Sequence, residues 1–218
     1  MPTPTLHPHP VVLFDGIVEP RFSSRLTGCV VRQTSALVAS CEVVLLEGSF
    51  DAEVGAPDDT VVAGGASVGN AMATAPLLSG PRELLERSRQ LTVVLGKGVA
   101  FEGVVRAVEV RWSGASGSVL SLKAVGKLAA ADTPTPMLTF QENLQQFTWS
   151  AGLEPRRRIS ARGLAGGLPP LRWGASTEIS GLRNGWSGSY KIGSVEWTWD
   201  LERGALTAFE ARRAAETF

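Results

Sequence analysis

Val108-Glu109-x-x-Trp112 and Val195-Glu196-x-x-Trp199 set one spaced pattern twice in a single chain. In each copy a Gly follows the Trp by five residues (Gly117, Gly204), a large apolar residue by ten (Leu122, Phe209) and an Ala by twelve (Ala124, Ala211). Upstream, Phe101-Glu102-Gly103 and Trp186-Ser187-Gly188 are both aromatic-x-Gly openers, out of step with the shared Val-Glu by two residues. Side chains alternate across a strand, so Val108, Val110 and Trp112 share one face, as do Val195, Trp197 and Trp199. The later Gly permits a turn, and Leu120, Leu122 and Ala124 bring the alternation back on a partner strand. The pattern reads as one β-hairpin used twice and predicts two similar β-domains in tandem. Two unrelated hairpins that share Val, Trp and Gly are the alternative.

At 218 residues the chain fits one large domain or two small ones. Lys plus Arg and Asp plus Glu number 21 each, which argues against a general polyanion binder. With 44% hydrophobic and 19% charged residues the chain is too apolar for disorder. No apolar run reaches the ~20 residues of a membrane span, so no membrane insertion is expected. Residues 1–10 lack a basic and then apolar leader, which predicts no secretory signal and synthesis in a reducing cytosol. Cys29 and Cys41 are too few for a disulfide framework and are expected to be small buried residues on strands.

The expected organisation is mainly β. Residues 1–10, with four prolines, form an extended arm. A first β-domain covers 11–132, beginning with a strand that turns at Asp15-Gly16 and continuing with strands at Cys29–Arg32 and Val43–Leu46. Residues 50–80, rich in Ala, Gly, Asp and Pro, read as a long loop that could order against a neighbouring subunit. Residues 81–90 read as a short helix begun by Pro81. Thr and Pro at 129–136 mark the boundary, and a second β-domain covers 133–218. There a helical turn is expected around Asn143–Phe147, and residues 161–174 read as a Gly/Pro-rich link.

Catalytic patterns are weak. Glu109 and Glu196 occupy repeat-equivalent places, whereas a glycosidase needs two carboxylates converging in one cleft. No Gly-x-Ser-x-Gly elbow or Walker A pattern occurs. The two histidines, His7 and His9, lie in the arm, which disfavours a triad or a metal site. No enzyme activity, cofactor or metal is expected. Arg156-Arg157-Arg158, with Arg162 nearby, is the densest basic cluster and suits an acidic neighbour, a nucleic-acid backbone or plain solvent. Trp149, Trp173, Trp186, Trp197 and Trp199 crowd the last seventy residues and suit a core or an interface.

Leu91–Gly96 followed by Phe101–Glu109 resembles the first barrel of the phage late control gene D and tail-hub family. Leu171–Gly174, Ile179–Leu182, Trp186-Ser-Gly-Ser-Tyr190, Val195–Asp200 and Gly204–Arg212 are similar to that family's closing barrel. The likeness covers residues 11–50 and 84–218. The chain departs from the family at a Val-x-His strand, where it carries Trp197, and it lacks most of the insertion between barrels and any spike. The resemblance implies two tandem tail-tube-like β-barrels with one or two short helices, as in VgrG-like hub barrels without a spike. It implies a homotrimeric baseplate hub joining a six-fold inner tube, or a tube initiator, to a separate three-fold spike, alongside baseplate wedge components. It implies assembly in the cytoplasm and then residence in a virion or extracellular injection particle, with no nucleic-acid partner. Expected interface residues are Val93 and Leu95, Arg156, Arg157 and Arg158, and Ile179 and Leu182, on what would be edge strands and a basic run. Trp112, Gly117, Trp199 and Gly204 are expected to be critical to the fold. The alternative function is a carbohydrate- or single-strand nucleic-acid-binding β-module using Trp and Arg.

Overall fold

A computed structural model describes residues 9–18, 20–47, 89–96, 99–113, 117–128, 136–151, 158–183 and 185–214. The expected 50–80 loop, residues 1–8 of the arm and residues 81–88 of the expected helix lie outside these. The described chain is mainly β, with one short helix, α1 (Pro20–Arg25). In the first half the strands are β1 (Val11–Phe14), β2 (Ile17–Val18), β3 (Leu26–Gln33), β4 (Ala39–Glu47), β5 (Gln90–Leu95), β6 (Val99–Ser113) and β7 (Gly117–Leu128). In the second they are β8 (Leu138–Thr139), β9 (Leu144–Ala151), β10 (Arg158–Gly166), β11 (Ser176–Ser180), β12 (Gly188–Asp200) and β13 (Gly204–Ala214). Gln90, expected to end a helix, opens β5.

The strands form one continuous sheet that does not close on itself: β2-β1-β5-β6-β7-β4-β3-β12-β13-β10-β9, with β8 and β11 added beside β12. The first half runs β1-β5-β6-β7-β4-β3 and the second runs β8-β11-β12-β13-β10-β9, the same path in the same chain order. They differ at the first step, where β1 pairs antiparallel with β5 and β8 pairs parallel with β11.

The two copies agree residue by residue. Val108 pairs with Leu122 and Ser113 with Gly117; Val195 pairs with Phe209 and Asp200 with Gly204. Each long hairpin is interrupted once, between Val105 and Ala107 and between Ile192 and Ser194, so Arg106 and Gly193 are the same bulge. A second bulge repeats as well, at Thr27 in β3 and at Gln145 in β9. A bulge places two residues against one and bends the strand. Two bulges kept in phase mean that both halves bend at the same places. The openers are not equivalent. In the common register Phe101-x-Gly103 coincides with Gly188-x-Tyr190, so the aromatic and the glycine have exchanged places, and both Phe101 and Tyr190 are fully buried.

The second half is rolled. Strands β9 and β12 are separated by β10 and β13, which in a flat sheet sets them about 14 Å apart. Yet the rings of Phe147 and Tyr190 meet edge to face with centroids 5.6 Å apart. The core fills the concave side with Leu138, Leu144, Ile179, Tyr190, Trp197 and Phe209. Cys29 and Cys41 are buried free thiols on neighbouring strands. The hydrogen bond its S–H donates to Cys29, and then burial, hold the Cys41 thiol well above its ordinary pKa, so it stays protonated.

Two expectations for the second half are corrected. Asn143–Phe147 is not a helical turn: β9 begins at Leu144, directly after a turn with Gln141 at φ 71°. Residues 161–166 are not a link but most of β10, whose inward positions Ala161, Gly163 and Ala165 are small. The reason lies across the ladder. A β-carbon on Gly163 would sit 2.5 Å from Cε1 of Phe209 and closer still to Cζ. In the first half the same pair is Val43 and Leu122, so volume has moved from one strand to the other. Gly163→Val should therefore cost about 1–3 kcal/mol by overpacking. Adding Phe209→Leu should restore most of it, which urea unfolding of the two single variants and the double variant would measure.

Candidate assembly interface

The halves meet along one antiparallel seam, β3 against β12, in which Cys29 faces Trp199, Val31 faces Trp197 and Gln33 faces Val195. On the inner face Trp197 is fully buried and its Nε1–H donates to the Pro169 carbonyl at 3.0 Å. The Arg172 guanidinium lies 5.6 Å from the Trp197 ring centre, and burial lowers its pKa. Trp199 is buried too, with the His9 ring edge-on at 4.5 Å. The Gln33 side-chain oxygen accepts the Trp173 backbone N–H at 3.0 Å. On the outer face Arg32 pairs with Glu196. Those side chains are 49% and 39% exposed, so the pair contributes only about 0.2–1 kcal/mol. Glu196→Gln should shift the unfolding midpoint slightly at low salt, with the difference shrinking in 0.5 M salt.

Glu109 repeats Glu196 in position but has different partners, Lys123 at 2.9 Å and Arg111 at 3.0 Å. Their hydrogen bonds hold its carboxyl below the usual range, Lys123 contributing most. Both glutamates stand on the strand face opposite their neighbouring valines, each inside its own ion pair. Among the described residues no three His, Cys, Asp or Glu gather as metal ligands, and no helix is long and apolar enough to cross a membrane.

The expected interface residues are placed differently from an edge. Strand β5 lies between β1 and β6, and Val93 and Leu95 are fully buried in the chain's own core. Strand β11 lies between β12 and β8, with Ile179 buried and Leu182 packed against the core beyond it. Arg158 opens β10, while Arg156 and Arg157 fall outside the described residues. Of the fold positions, Gly117 and Gly204 begin the return strands, Gly204 with φ 71°, and Trp112 pairs with Ser118 where Trp199 pairs with Ala205. Trp149 on β9 is 43% exposed and stacks on Trp186 at 3.6 Å, so one of its faces is already covered. The seam was missed in the sequence because it joins residues some 160 positions apart; the separation is 164 for Arg32 and Glu196.

No family model matches the sequence, and no curated protein matches it. Solved structures do. A tail protein from Neisseria meningitidis MC58 superposes with a TM-score of 0.57 at 7% identity, over 94% of this chain and 97% of that one. The 43 kDa tail protein of prophage MuSo2 from Shewanella oneidensis gives 0.52 at 7% identity, over 93% and 96%. This chain has the fold of phage tail proteins. It is also similar to the E. coli c3393 protein, described as a component of the type VI secretion system with structural similarity to the T4 bacteriophage tail proteins gp27 and gp5. That superposition has a TM-score of 0.55 at 8% identity, over 88% of this chain and 74% of the other.

Proposed function

We propose that this chain is a non-enzymatic structural component of a phage-like tail or contractile injection system. Its role is a homotrimeric hub in the baseplate. The observation that carries this is the duplicated six-strand path, with its register and both bulges repeated. Three chains with two like units each present six similar units, which suits a six-fold tube on one side, while the three-fold symmetry suits a spike on the other. The tail-protein fold supports the same reading. The two units correspond to residues 11–132 and 133–218, and the partners are an inner tube or tube initiator, a separate spike and wedge components. The protein assembles in the cytoplasm and ends in a virion-like or extracellular particle.

Native mass by light scattering on a sizing column tests this. A mass near three times 23.1 kDa is the expected result. A stable dimer would overturn the reading, because two chains match neither symmetry.

A further inference from the structure

The seam inside the chain is also a template for a seam between chains. β3 is the outer strand of the first half, and its free edge is taken by the last six residues it can reach on β12. β9 is the equivalent outer strand of the second half, and among the described residues no strand pairs with its outer edge beyond a bridge at Leu144. β6 is the equivalent of β12. Its edge is covered by β5 only as far as Val104, and from Val108 to Ser113 no described strand lies beside it on that side. The chain thus carries both halves of the same joint unmade, one along β9 at the end of its sheet and one along the half of β6 that β5 does not cover.

Burial supports the pairing. At the made seam, Cys29 and Val31 on β3 and Val195 and Trp197 on β12 are at most 2% exposed. Their repeat mates are Phe147 and Trp149 on β9 and Val108 and Val110 on β6. Phe147, Val108 and Val110 are only partly buried, and Trp149 is 43% exposed. The under-buried residues of these two strands are the ones a neighbour would cover. At the central pair size complements: the made seam sets Val31 against Trp197, and the unmade one would set Trp149 against Val110, large against small in the opposite sense, while Trp112 would face Phe147 where the made seam has Trp199 against Cys29. On the outer face Glu109 would meet Ser150, a hydroxyl that can donate to its carboxylate, so no like charges oppose.

We infer that β9 of one copy adds antiparallel to residues Val108–Ser113 of β6 in a second copy of this chain, in the register of the internal seam: Glu109 opposite Ser150, Val110 opposite Trp149, Trp112 opposite Phe147. The contact is head to tail, so each copy offers one edge and receives another, and a closed ring results when the rotation closes. Backbone groups on both edges gain partners, which removes the aggregation hazard of two strand edges that no described strand covers. The joint follows from the repeat; only the number of copies, three, rests on the proposed hub role.

Paired cysteines test the register. Ser150→Cys and Glu109→Cys in one full-length chain, mildly oxidised, should give a ladder ending at three chains, with a 109–150 peptide link found by mass spectrometry. Mixing the two single variants should give linked dimers, while either alone gives none. Cys29 and Cys41 are buried and should not contribute. Val110→Cys with Ser150→Cys places the thiols on opposite faces and should link at least tenfold less. A link closed within one chain, a single variant that links to itself, or equal linking by the shifted pair would overturn the joint. So would absence of the 109–150 link at the highest attainable concentration. A three-chain mass without the link overturns the joint and leaves the hub reading standing. A link that forms in a ladder running past three chains keeps the joint and overturns the three-fold hub.

Discussion

Trp197→Ala should remove about 3–5 kcal/mol of folding stability, the range for losing a fully buried large aromatic. Few residues in the chain are so committed. The indole is completely buried, sits opposite Val31 across the seam and opposite Thr207 in its own hairpin, and anchors the Pro169 segment through its N–H. Loss of the ring opens a cavity where the two halves meet, so both should loosen together. The hydrogen bond is the smaller share, because the Pro169 carbonyl also accepts the Leu171 N–H at 2.7 Å and would not be left bare. Trp197→Phe, which keeps most of the volume and drops the donor, should therefore cost clearly less than the alanine variant. Chemical unfolding followed by far-UV circular dichroism would separate the two. Equal losses for both variants would mean that the hydrogen bond, not the volume, holds the seam.

The second large effect is expected at Gly126. It pairs with Gly103 across the β6–β7 ladder, and the two backbones approach more closely than side chains allow. A β-carbon on Gly126 would lie 2.7 Å from the Glu102 carbonyl carbon and nearer still to the Glu102 oxygen and the Gly103 Cα. These are backbone atoms, so no rotamer change relieves the clash; the ladder itself must open. Gly126→Ala should cost at least the upper end of the about 1–3 kcal/mol usual for overpacking. Hydrogen exchange should quicken first at Glu102 and Gly103. The partner glycine is tight on two sides: a β-carbon there would stand 2.5 Å from Cζ of the Phe101 ring and 2.6 Å from the Val125 carbonyl oxygen. The second half needs no such pair: the equivalent positions are Tyr190 and Arg213, and the Arg213 guanidinium lies 5.9 Å from the Tyr190 ring centre.

The hairpins were legible in the sequence because Val, Trp and Gly recur at fixed spacing around β6–β7 and β12–β13. The mainly β class was legible with them, and the Asp-Gly pair marked the turn at Asp15-Gly16, where both residues adopt positive φ. Strand β9 was not legible because the bulge at Gln145 spaces its inward residues Leu144, Phe147 and Trp149 by three and then two, which imitates a helix. The same bulge spaces Leu26, Cys29 and Val31 alike, but β-branched neighbours there kept the strand signal. Strand β10 was hidden because its inward residues are small and its partner Phe209 supplies the bulk. The helix α1 is six residues long, too short to show a period. The interface positions were sought at β5 and β11 because strand propensity says nothing about which strands end up inside a sheet.

The opposite placement of bulk in the two copies constrains the order in which they can be joined. Trp197 fills the space over Val31, so the two halves are not interchangeable. A chain made of two first halves would set Val31 against Val110 and leave the volume of an indole empty between them. Only the first half followed by the second sets an indole over Val31, so the order in which they are joined is a packing requirement of the seam.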